Sequence, residues 1–194
     1  RDIDRFNALF EYLLRQSGGQ FEVTRTASAL GITRPTVESH LRALETTHAI
    51  TVLRPFFADG SSEIVKQPKV YGFDTGFVSF ARGWDPLRPE DYGALWEHLV
   101  LEHLQANFPT TPVRYWRDKA GHEVDFVLAS GRDGASAIEC KWDSGAFDAT
   151  ALTHFRKRYP IGGNFLVTPA ADRSYKRRFG DIEVTVCSPS GLSG

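Results

Sequence analysis

Apolar positions along the first eighty residues fall at helical spacing and then at strand spacing. Ile3, Phe6, Leu9, Phe10, Leu13 and Leu14 form one face of a helix over residues 3–15, which Gly18-Gly19 ends. A short helix follows over 24–30, with Thr24 as N-cap and Gly31 as the C′ residue. Thr33 caps the next helix. Pro35 in its first turn costs little, because the first amides have no helical partner. Val37, Leu41 and Leu44 make its buried face. Two short helices across Gly31-Ile32-Thr33 predict a helix-turn-helix. Strand-like runs at 50–54 and 69–73, with a turn of small polar residues at 58–62, complete the pattern of a winged helix over residues 1–80.

Chain breakers from Arg82 to Pro89 predict a linker at 81–90. Beyond it the pattern gives a helix over 91–107 and strands over 113–117, 122–129 and 135–141. Asp118-Lys119-Ala120-Gly121 and Gly131-Arg132-Asp133-Gly134 are the turns between them. Phe147, Ala151, Phe155 and Tyr159 mark a second amphipathic helix, Gly162-Gly163 leads into a strand over 164–168, and 182–187 adds a fifth. The order α-β-β-β-α-β predicts an α/β (α+β) layer fold with a central mixed sheet over 91–194.

Composition narrows the class. A hydrophobic content of 41% and a charged content of 24% are those of a folded globular chain, which excludes disorder. No apolar run is long enough to span a membrane and no signal peptide opens the chain, so the expected setting is cytoplasmic. Cys140 and Cys187 are then expected as reduced thiols. The net charge of −1 gives no overall attraction to nucleic acid, so any such contact needs a local basic surface. The chain has no methionine, and is expected to be a piece of something longer.

The candidate chemistry lies on the central strands. Side chains alternate along a strand, so Glu139 and Lys141 share one face, as do Glu123 and Asp125 on the neighbouring strand. If the two strands pair, carboxylates and an ammonium converge on one side of a sheet. Val124, Phe126, Val127, Ala137 and Ile138 around them are apolar, so these are core strands with polar intrusions. Glu97 interrupts the apolar stripe of Val100, Leu101 and Leu104 on the preceding helix and needs a partner there. Oxygen-rich sites of this kind suit Mg²⁺ or Mn²⁺. An E-x-K triplet alone more often marks a solvated face or an ion pair; the additional carboxylates and the element order raise its weight.

Glu97, Asp125, Glu139 and Lys141 resemble the PD-(D/E)XK nuclease superfamily. Three further runs are more specific: Tyr115-Trp116-Arg117-Asp118-Lys119-Ala120-Gly121-His122-Glu123-Val124-Asp125, Ala137-Ile138-Glu139-Cys140-Lys141, and Pro68-Lys69-Val70-Tyr71-Gly72-Phe73-Asp74-Thr75-Gly76 upstream. With them, nearly the whole chain resembles the C-terminal region of a family of predicted prokaryotic AAA+ ATPases, a region of unknown function. The resemblance implies a winged helix followed by a restriction-endonuclease-like domain. It implies Asp125 and Glu139 as metal ligands and Glu97 completing the shell. Lys141 would stabilise the phosphate transition state or position the attacking water. It also implies DNA as partner and an N-terminal ATPase module that alone binds ATP, since no G-x-x-x-x-G-K-[S/T] loop occurs here. No glutamine follows Lys141, so the Gln-x-x-x-Tyr helix of exonuclease-type relatives is absent.

Other signals carry less. His98, Glu102 and His103 are spaced wrongly for an inverted zinc motif. His122 reads as an exposed turn residue at the rim of the acidic site. Exposed positions on the second helix of the helix-turn-helix, Arg34, Thr36, Ser39, His40 and Arg42, are candidate DNA contacts. Glu38 and Glu45 oppose them, and residues 1–80 hold nine basic and nine acidic side chains. Arg156 and Arg158, with Lys157, Arg173, Lys176, Arg177 and Arg178 nearby, are better phosphate-contact candidates. The leading expectation is a Mg²⁺-dependent phosphodiesterase. The alternatives are an inactive nuclease-fold module that binds nucleic acid or a protein partner and regulates the ATPase, and a homo-oligomer that buries the acidic cleft.

Overall fold

The computed structural model describes residues 2–57, 65–130 and 134–192. The chain divides into two compact units, Arg1–Arg54 with Gln67–Asp91, and Pro55–Lys66 with Tyr92–Gly194. The turns expected at 58–62 and 131–134 lie wholly or largely outside the described residues.

In the first unit α1 (Asp2–Arg15), α2 (Val23–Leu30) and α3 (Arg34–Thr46) precede β1 (Ile50–Leu53) and β2 (Lys69–Gly72), and α4 (Thr75–Arg82) follows. The strands pair antiparallel, Ile50 opposite Gly72 and Leu53 opposite Lys69. Leu9 and Leu13 of α1, Ala27 of α2, Val37 and Leu44 of α3, and Ile50 and Val70 of the strands share one buried cluster with Phe21. The caps follow local chemistry. Thr33 accepts the Thr36 N–H at the start of α3, and Gly31 takes the left-handed conformation that ends α2, with φ 62°. Thr24 lies inside α2; Glu22 is the residue before that helix and makes no side-chain cap bond. Helix α4 was not expected, although its signals are in the sequence: Asp74 accepts the N–H groups of Gly76 and Phe77, and Gly83 closes the C-terminus.

The second unit contains α5 (Tyr92–Asn107), β3 (Val113–Arg117), β4 (Glu123–Ser130), β5 (Gly134–Cys140), α6 (Thr150–Arg158), β6 (Asn164–Val167), β7 (Tyr175–Phe179) and β8 (Ile182–Cys187). A six-stranded mixed sheet runs in the order β3-β4-β5-β6-β8-β7. β3, β4 and β5 form an antiparallel meander, β5, β6 and β8 are parallel, and β7 pairs antiparallel to β8 at the edge. Leu152 and Phe155 of α6 pack into a core with Val124, Val127, Ala137, Leu166 and Val184 of the strands. Trp96 of α5 donates its indole N–H to the Val167 carbonyl at 3.0 Å, tying that helix to β6.

Two local devices shape this unit. Residues on either side of 58–64 bond to the free edge of β3: the Phe56 N–H donates to Tyr115 O at 2.6 Å and the Val65 N–H to Arg117 O at 3.0 Å. The loop between α6 and β6 lies against β5, where a Cβ on Gly162 (φ 130°) would meet Ala135 O at 2.1 Å. Among the described residues, no helix is long and apolar enough to cross a membrane.

Candidate functional site

Each side chain of the predicted constellation is delivered by a different piece of regular structure. Asp125 comes from β4, Glu139 from the end of β5, Lys141 from the residue after it, and Glu97 from the second turn of α5. The Lys141 Nζ lies 2.9 Å from Glu139 Oε2 and 3.5 Å from Asp125 Oδ2. Asp125 Oδ2 also accepts the Cys140 N–H at 2.8 Å.

Glu139 is the residue whose environment costs most. It is 4% exposed, and its Oε1 is buried with no hydrogen-bond partner. Burial first, then the Asp125 carboxylate and more weakly Glu97, push its carboxyl up to about 8, against the opposing pull of Lys141. Burial pulls the Lys141 ammonium down, but Asp125 and Glu139 outweigh it and raise its pKa. One cation is thus shared between two carboxylates while a third acid adds its field. The Cys140 thiol is raised well above its ordinary range, by burial first and then by the same carboxylates, and so is not a ready nucleophile. Both cysteines are buried and free.

Asp125, Glu139 and Glu97 are the acids that could offer oxygens to a cation here, but they are not the three described side chains whose donors lie within 4.8 Å of one another. An orphaned, buried carboxylate oxygen beside two further acids is what a hard cation with oxygen ligands would satisfy. Glu123, expected beside Asp125, instead forms a 2.8 Å ion pair with Arg117, its register partner on β3.

The remaining predicted positions are scattered. Arg34, Ser39 and Arg42 are exposed on α3. The Thr36 hydroxyl is bonded to that of Thr33 at the helix cap. His40, expected on the exposed face, has a side chain only 13% exposed and makes an edge contact with Phe6 of α1. Arg156 is spent on structure: its guanidinium donates to the carbonyls of Tyr159, Ile161 and Gly163 and to Asn164 Oδ1. Arg158 is exposed and lies by the Tyr159 ring. His98 is buried with Nδ1 against Ala94 O at 2.8 Å.

Sequence reasoning missed one cluster. Asp118 and His122, from the turn joining β3 to β4, meet His154 of α6, which lies far along the chain. Asp118 and His122 were both legible as turn residues. His154 stands in a helix whose apolar spacing drew attention to other positions, so nothing local pointed to the meeting.

Fold and site together define an α/β chain with a mixed sheet that carries a buried carboxylate–ammonium cluster. The chain belongs to the DUF4143 family, a domain of unknown function, whose model matches residues 92–188. A second domain of unknown function, DUF8612, matches residues 1–88. Uncharacterized proteins of Mycobacterium bovis (Mb2031c) and Mycobacterium tuberculosis (Rv2008c) are each 33% identical over 125 residues, which is 62% of this chain and 28% of the relative. The chain thus spans less than a third of the length of these curated relatives. A solved structure described as a refined half-complex from a tetradecameric assembly of Thermococcus gammatolerans McrB AAA+ hexamers with bound McrC matches at a TM-score of 0.38. It is 12% identical, with 93% of this chain and 46% of that chain covered.

Proposed function

We propose that the second unit is a restriction-endonuclease-like, PD-(D/E)XK phosphodiesterase domain. Its metal site would be formed by Asp125, Glu139 and Glu97, with Lys141 as the adjacent cation. The observation that carries this reading is the unpartnered, buried Glu139 Oε1, on a carboxyl raised by its burial and then by its acidic neighbours. Uncompensated, such a group is a cost to folding; as a metal ligand it is the reason for the arrangement. Mg²⁺ or Mn²⁺, when bound, supplies Lewis-acid polarisation of a phosphoryl oxygen. The chain's own residues do the rest. Asp125 is held in place by the Cys140 N–H, and Lys141 keeps a full positive charge beside the site, available to a phosphate oxygen.

The first unit, three helices followed by a two-stranded hairpin, is proposed as a winged helix that brings DNA to the site. Exposed Arg34 and Arg42 would be its phosphate contacts. The proposed partner in the full-length protein is the ATPase module implied by the resemblance in sequence.

One observation favours a second reading. Lys141 already pairs with both Asp125 and Glu139, so the cluster is partly neutralised from within. An inactive module that keeps the fold and binds nucleic acid or a protein partner would look the same. Calorimetric titration of Mn²⁺ into the protein and into Asp125→Asn, followed by cleavage assays on single- and double-stranded DNA, separates the two. Metal binding and cleavage that both vanish in the variant are expected. Metal-independent DNA binding without cleavage would select the inactive module.

A further inference from the structure

Asp118 Oδ2 lies 2.7 Å from His122 Nδ1, and the His122 ring is stacked on His154 with centroids 3.7 Å apart and planes 12° from parallel. One ligand-type atom from each of the three side chains lies within 4.8 Å of the other two. Among the described residues, this is the group of three such side chains with donors that close together. All three are half-buried, and they come from two elements: the turn between β3 and β4, and α6.

We propose that Asp118, His122 and His154 form a second cation site, selective for a first-row transition ion of the Zn²⁺ class. The donor chemistry sets the class, because two imidazoles and one carboxylate suit borderline ions, whereas Mg²⁺ and Ca²⁺ take oxygen ligands. Geometry supports it twice. The stack brings the two imidazoles side by side, and turning one ring out of it lets a nitrogen of each face a common ion. Asp118 Oδ2 also lies 2.7 Å from His122 Nδ1, so two of the three donors are already adjacent. Zn–ligand bonds of about 2.0–2.2 Å put two donors on one ion at most roughly 4.3 Å apart, so binding draws the donors together and opens the His122–His154 stack. Three protein donors leave the remaining position to solvent. The bound ion would pin the β3–β4 turn to α6, at the entrance to the strand that carries Asp125.

The test uses Co²⁺ as a coloured stand-in for Zn²⁺, added to the chelator-treated protein. Visible d–d absorption of a nitrogen-ligated Co²⁺ is expected in the wild type, unchanged in Asp125→Asn, and lost in His154→Ala. Asp118→Asn removes the site's anionic donor and should weaken binding sharply. Because His154→Ala removes a packed ring, a measurement on the unaltered chain runs alongside. Imidazole NMR signals of two of the six histidines should shift on Zn²⁺ addition. Absence of Co²⁺ absorption in the wild type overturns the proposal. So does absorption that survives His154→Ala but disappears in Asp125→Asn, which would place the ion at the carboxylate cluster.

Discussion

Asp125 accepts the backbone N–H of Cys140 at 2.8 Å, so a carboxylate on one strand is bonded to the backbone of the next, one residue beyond Glu139. The bond gives Asp125 a structural task as well as a candidate ligand role, and substitutions can separate them. Asp125→Ala leaves the Cys140 amide without its acceptor and is expected to destabilise the fold by about 1–3 kcal/mol. Asp125→Asn keeps an acceptor and should stay within about 1 kcal/mol of the wild type. Both should lose Mn²⁺ binding. Urea denaturation with calorimetry on the two variants checks the split.

Glu139 predicts a pH dependence of definite sign. Its carboxyl is pushed up to about 8 in the folded chain, against an ordinary value of 4.5, so folding favours the protonated form. That stabilisation is complete below the unfolded value and is lost as pH rises through the folded one. Metal-free stability should therefore fall between about pH 4.5 and 8, by up to roughly 1.4 kcal/mol per pH unit. Glu139→Gln should flatten this slope. Mn²⁺ competes with the same proton, so its affinity should climb over the same interval. Denaturation midpoints across that range, with and without Mn²⁺, give both trends.

Lys141→Met removes the cation shared by Asp125 and Glu139. Breaking a buried pair from one side costs about 3–5 kcal/mol, and the part-exposed lysine places the expected loss toward the lower end. Added Mn²⁺ should restore stability to this variant more than to the wild type, since the ion replaces the missing charge. Melting temperatures of the two proteins over a Mn²⁺ series measure the difference. Equal shifts in both would count against a metal beside Glu139.

Arg156 and Arg158 were read together from sequence as phosphate contacts, and the structure gives them different work. Arg156 binds three carbonyls and the Asn164 side chain around the α6–β6 loop, so Arg156→Ala is expected to cost about 2–4 kcal/mol of stability. Exposed Arg158→Ala should change stability by about 0.5 kcal/mol or less. Thermal denaturation of the pair tests the contrast.

The legible parts of the chain were those where burial imposes a period. Strands β3, β4 and β5 and helices α1 and α5 stand within a residue or so of their expected bounds, and α3 starts after its expected cap, because one face of each is apolar and turn residues punctuate them. The edge strand β7 was read as a basic cluster. Its residues are exposed on both faces but for Phe179, so no alternation marks it, and charged side chains are what a free sheet edge carries. Helix α4 was passed over because it is short and its caps fall inside a stretch read for its family motif. At the candidate site, Glu97, Asp125, Glu139 and Lys141 were readable as acids and a base among apolar neighbours. Long-range pairings were not: Arg117 taking Glu123, Arg156 clamping a loop, and His122 stacking on His154 depend on which elements meet, and no spacing rule encodes that.

The segment Pro55–Lys66 has a practical consequence. It precedes β2 in the chain, yet its Phe56 and Val65 bond to the edge of β3 and Phe56 packs against Phe155 and Tyr159. The polypeptide therefore visits the second unit, goes back to finish the first, and only then builds the rest of the second. No single cut yields two intact products. A fragment starting at Tyr92 would be born with an open β3 edge and an uncovered aromatic surface, prone to self-association. A second-unit fragment that keeps its own contacts has to include residues 55–66, which lie upstream of β2.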